Sequence, residues 1–127
     1  MGAMTKAQVI DFLDEFRKRP GFSQVESVHE FVTRLFRERD LDGCTFFTSQ
    51  TKFCIARFPT SEEWSDKPHL SIAGSAPDRL RIDLSIVTDR KPVCRTTTEA
   101  VVCSMEQGLD EFDDMYAKFL AANKIQT

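Results

Sequence analysis

The sequence has almost no aromatic side chain with a polar handle: Trp64 and Tyr116 stand against eleven Phe. Phe offers neither donor nor acceptor, so an inventory of this kind fills a core rather than lining a polar site. There are four cysteines, Cys44, Cys54, Cys94 and Cys103. None forms a C-x-x-C pair or is followed by spaced histidines, which excludes the common zinc and thioredoxin signatures. No run reaches the ~18 apolar residues of a membrane helix, and the first residues lack the apolar stretch of a signal peptide. The expectation is a cytoplasmic protein with reduced thiols and no membrane partner. Positive charge is not in excess either. Lys and Arg number 17 against 20 Asp and Glu, giving a net charge of −3 and a pI near 5.4. Nucleic-acid-binding domains usually carry a strongly basic face, so no nucleic-acid partner is expected. Gly-rich phosphate loops, RNP patterns and internal repeats are also missing. No cofactor or metal is implied.

What remains is an ordinary globular composition, 41% hydrophobic and 29% charged, at a length that suits one domain. Residues 1–3, Met-Gly-Ala, read as an expression scar ahead of Met4, leaving residues 4–127 as a single domain. Thr5-Lys6-Ala7-Gln8 fits a capping box, and Val9, Phe12, Leu13 and Phe16 then recur at helical spacing as far as Pro20-Gly21. Ser23-Gln24-Val25-Glu26 fits a second box, followed by an apolar stripe from Val25 to Phe36. Two amphipathic helices with so short a link form an αα-hairpin.

The period then changes to two. Residues 44–48 and 52–58 read as a hairpin, in which Cys44 and Cys54 are equidistant from Ser49. A cross-strand bridge and two small buried thiols are both compatible with that placement. His69–Gly74 is a short strand. Arg79–Val87 is the clearest one, with Leu80, Ile82, Leu84 and Ile86 alternating with Arg79, Arg81, Asp83 and Ser85. Val93–Thr97 is β-favouring, and residues 98–103 fit either a strand or a helix start. Ser104-Met105-Glu106-Gln107 is a third capping box, opening a helix that contains Gly108. Short turns pair successive strands antiparallel. The fold class expected is α+β, a two-layer sandwich. It runs from an αα-hairpin through a four- to five-stranded antiparallel sheet to a C-terminal helix, with the helices on one face.

That architecture leaves one sheet face uncovered. Arg81 and Asp83 point to it, with Arg95 on the neighbouring strand. A fixed guanidinium fork suits a carboxylate or phosphate, although the same face also reads as simply solvated. The polar loop 59–68 carries Trp64 and ends at His69. Trp is enriched among interface anchors, but a lone Trp also folds back onto its own domain. Glu63, Asp66 and His69 match no metal-ligand spacing. Neither histidine has a nucleophile in its sequence context, so a binding role is expected over an enzymatic one. The first functional expectation is a small intracellular module acting through protein–protein contacts, with a partner or a second copy of itself. The alternative is a domain binding a small molecule or anion on the open sheet face.

Overall fold

The computed structural model describes residues 3–57, 68–76, 78–89 and 95–126. Helix α1 spans Lys6–Arg17 and is opened by the expected capping box, with Gln8 N donating to Thr5 Oγ1 and Thr5 N to Gln8 Oε1. Helix α2 spans Val25–Glu38. Its capping box does not form: Gln24 is the cap residue and makes no side-chain capping bond. Backbone turns lead straight into this helix, with Val25 N donating to Phe22 O and Glu26 N to Ser23 O. The Glu26 carboxylate is instead taken by Arg17, at 2.9 and 3.1 Å, which ties α2 to the end of α1.

Five strands follow: β1 Thr45–Ser49, β2 Lys52–Ala56, β3 His69–Ala76, β4 Arg79–Asp89 and β5 Arg95–Ser104. They form one antiparallel sheet in sequence order. The ambiguous residues 98–103 are therefore strand, paired along β4. Helix α3 spans Gly108–Gln126, three residues later than a cap at Ser104 suggests. Ser104 and Gln107 do exchange the reciprocal bonds, at 3.3 and 3.5 Å, but around a turn, because Ser104 is still paired with Arg79 in the sheet. Gly108 thus begins the helix, where a Cβ would lie 2.7 Å from the Phe31 ring. The residue is set by packing.

All three helices bury their apolar stripes against the same side of the sheet. Leu80, Ile82 and Leu84 of β4 are fully buried there, beside Phe31 and Leu35 of α2 and Phe112 and Phe119 of α3. Phe36, Phe46 and Phe53 close one end as a triad with ring centroids 5.2 to 5.7 Å apart. The Phe-rich composition therefore goes mainly into the core.

The start of α2 touches the sheet at backbone distance. Ser27 Oγ donates to Gln24 O at 2.9 Å and lies 3.3 and 3.4 Å from the carbonyls of Ala76 and Arg79. Gly74 makes this approach possible, since a Cβ there would meet Gln24 O at 2.0 Å.

Candidate functional site

The face of the sheet turned away from the helices holds a cavity of about 390 Å³. Its walls follow from strand periodicity and register. On β3, Leu70 and Ile72 enter the core, so His69, Ser71 and Ala73 face the other way. On β4 the partners of these three are Ser85, Asp83 and Arg81. On β2, Phe53 and Ile55 go to the core while Lys52 and Cys54 line the cavity. Cys54 is level with Ser71, Ser49 with Lys52, and Thr98 of β5 with Ser85.

Three rows of side chains result, about 7 Å apart along the strands. The first holds Lys52, Ala73 and Arg81, the second Cys54, Ser71 and Asp83, and the third His69, Ser85 and Thr98. Hydroxyls and charges dominate the lining. Beside it, Phe47, Cys54 and Ala56 make a small buried apolar cluster of their own on this outer face.

Arg81 and Asp83 form the principal ion pair here. Arg81 Nε donates to both carboxylate oxygens, at 3.0 and 3.2 Å, two residues apart on one strand face. The two partners differ in exposure: Asp83 is 13% exposed and Arg81 53%. The carboxylate is set into the sheet and holds the root of a guanidinium that reaches outward. Burial pushes the Cys54 thiol up to about 12. It therefore stays protonated at neutral pH and is no nucleophile. Among the described lining residues, Lys52 and Arg81 carry positive charge and Asp83 negative charge, beside the hydroxyls of Ser49, Ser71, Ser85 and Thr98.

Of the residues singled out from sequence, Arg81, Asp83 and His69 all line this cavity. His69 is buried, as the first residue of β3. The backbone of Arg95 pairs with Asp89, six residues along β4 from Asp83, or roughly 20 Å at the usual strand rise. Trp64, with Glu63 and Asp66, lies outside the described residues. Ser49, Lys52, Ser71, Ala73 and Thr98 were not anticipated. The same alternation that exposes Arg81 would have found three of them, since Lys52-Phe53-Cys54-Ile55 and His69-Leu70-Ser71-Ile72-Ala73 both have period two.

The Cys44–Cys54 pairing does not occur. The hairpin turns about Gln50 and Thr51, with Gln50 in the left-handed region at φ 57°, so Cys54 falls opposite Phe47. Cys44 Sγ instead lies 3.3 Å from the Tyr116 hydroxyl, and Cys44, Cys54 and Cys103 are free thiols. Among the described residues, no group of three or more His, Cys, Asp or Glu is placed to hold a metal ion. No helix among them is long and apolar enough to cross a membrane. No protein-family model, curated protein or solved structure matches the chain.

Proposed function

We propose that this chain is a binding domain for a small polar ligand, held on the sheet face opposite the helices. The observation that carries the reading is the cavity of about 390 Å³ that brings Arg81, Asp83 and His69 together. Small-molecule sites are concave and span roughly 300–1,000 Å³, whereas partner surfaces are flatter and expose apolar atoms. Among the described residues the only large hydrophobic side chain that is well exposed is Val102, at 48%. The protein-partner reading, with Trp64 as anchor or a second copy as partner, therefore ranks second. The role proposed is binding without catalysis, in keeping with a Cys54 thiol that burial holds protonated. Three free thiols support a reducing, cytoplasmic setting.

The test is a screen of a few hundred polar small molecules by amide chemical-shift mapping. A true ligand perturbs residues of β2, β3 and β4 around the cavity in a saturable way. It also raises stability by about 2.7 kcal/mol at one hundred times its Kd. Replacing Ser71 by Phe, at the centre of the floor, removes both effects while the fold persists. A screen in which no compound moves any lining residue overturns the proposal, and capture of a protein partner lost in Trp64→Ala would put the second reading in its place.

A further inference from the structure

We infer that the ligand carries a tetrahedral oxyanion, a phosphate group in the first instance, seated over Ala73 between Lys52 and Arg81, on a hydroxylated body. This deepens the proposed function and rests on it. Ala73 is level with Arg81 in the β3–β4 ladder. Lys52 falls one step beyond the last β2–β3 pair, Phe53 with Ile72, and so is level with Ala73 on its other side. Strands lie about 4.8 Å apart, which sets the two cations roughly 10 Å from each other at the backbone. Between them stands a single methyl group. A row that reads cation, methyl, cation leaves a notch on the sheet floor with positive charge on both walls, and both long side chains can bend over it.

The chemistry of the walls selects the occupant. Arg81 is a planar fork and Lys52 a compact ammonium, the two modes by which side chains take phosphate oxygens. A planar carboxylate presents two oxygens in one plane and faces one wall well. A tetrahedral group presents oxygens toward both walls and toward the Ser71 hydroxyl, in the next row along β3, with Ser49 on the outer side of Lys52. Asp83 does not cancel the site. Its bonds go to Arg81 Nε, so it holds the fork from behind while the guanidinium stays half exposed. Asp83 also disfavours a second negative group deeper in the cavity.

Among the described residues, the other end of the cavity carries two hydroxyls and the His69 imidazole. Ser85 pairs with His69 on one side and Thr98 on the other. This row lies four residues from Arg81 along β4, roughly 13 Å away. That span and that lining fit a sugar or polyol whose hydroxyls both donate and accept. The class of ligand assigned is a phosphorylated sugar or polyol.

The experiment compares ribose 5-phosphate, ribose and inorganic phosphate by amide shifts of the isotope-labelled chain, with chloride matched for ionic strength. Ribose 5-phosphate is expected to bind about ten- to a hundredfold more tightly than ribose, the weight of a charge-assisted contact. Phosphate alone should move Lys52, Ala73 and Arg81 beyond the chloride control. Arg81→Gln removes the charge, and Ala73→Leu fills the notch without changing charge. Each should bring ribose 5-phosphate down to the affinity of ribose. Equal binding of ribose and ribose 5-phosphate overturns the phosphate assignment and leaves the pocket standing. If neither phosphate compound moves the notch residues beyond chloride, the assignment also falls, and the screen described above decides the pocket separately.

Discussion

The two faces of the sheet are made by the same strands with the same alternation, yet they are built to different standards. On the helix side, Leu80, Ile82 and Leu84 are fully buried in one continuous core that reaches all three helices. Burying a side chain of this kind is worth about 1.5–3 kcal/mol, so the inner face commits the chain to its fold. On the other side, the residues that alternate with them, Arg81, Asp83 and Ser85, line a cavity with hydroxyls and charges. The inner face is close-packed and intolerant; the outer face is open and can change without disturbing what lies behind it. A sheet one residue thick thus separates stability from binding, and the substitutions that test the separation are neighbours in sequence.

The largest effect is expected on the inner face. Ile82→Ala leaves a cavity between β4 and the helices and should cost about 2–5 kcal/mol in denaturant unfolding. Gly74→Ala should come next, at roughly 1–3 kcal/mol. A Cβ at position 74 meets the Gln24 carbonyl at 2.0 Å, and backbone cannot yield as a side-chain tip can. The start of α2 would have to move, which also strains the Ser27 contacts to the β3–β4 turn. A Gly74→Ala protein as stable as the parent would show that α2 is not held at this distance.

Most of this division is legible in the sequence, because alternation is a local signal. Leu80 to Ile86 displays both faces outright, and the helical stripes around Phe12 and Phe31 say where the inner face is covered. What is not legible depends on tertiary pairing. The hairpin centre at Gln50 and Thr51 cannot be told from one at Ser49 by composition, and the shift decides whether Cys54 meets Cys44 or Phe47. Arg95 looks adjacent to Arg81 in a list of strands, but the long β4–β5 ladder sets Arg95 opposite Asp89. The capping motifs at Ser23 and Ser104 are local bids for a helix start. At Ser23 the backbone turn and Arg17 take the groups, and at Ser104 the sheet keeps the residue. Gly108 reads as a weak point in a helix until the Phe31 ring beside it is known, and nothing in the sequence marks the close approach of Gln24 to Gly74.

A smaller effect separates the helix layer from the sheet by its response to pH. His29 of α2 faces Asp14 and Arg17 of α1, with Glu26 and Glu30 on its own helix. Asp14 Oδ1 is 3.9 Å away and favours the charged imidazole, but burial and the nearby Arg17 outweigh it and hold the His29 pKa below its usual 6.5. The unfolded chain therefore binds a proton that the folded chain resists. Stability from this group is fully present above pH 6.5 and declines as pH falls from there through the folded-state pKa. Unfolding midpoints measured between pH 8 and pH 5 should show the decline, and His29→Gln should flatten it. A parent whose stability rises over the same interval would mean that Asp14 dominates instead.

The smallest change in stability is expected one residue away from the largest. Arg81 follows Leu80 and precedes Ile82, both fully buried, while its own side chain is 53% exposed. Its pair with Asp83 is made in water on one side, where screening and side-chain ordering leave such contacts at about 0–1 kcal/mol. Arg81→Ala should accordingly shift unfolding by less than ~1 kcal/mol, against the several expected for Ile82→Ala. The cost that remains should come from Asp83, which is 13% exposed and loses the donor to both its oxygens. Asp83→Asn in the Arg81→Ala background relieves that charge and should recover part of the loss, since a neutral amide is less costly to leave half-buried than a carboxylate. Comparable destabilisation by Arg81→Ala and Ile82→Ala would refute the assignment of faces on β4. A small loss for Arg81→Ala that Asp83→Asn offsets would tie the pair to the cavity rather than to the fold.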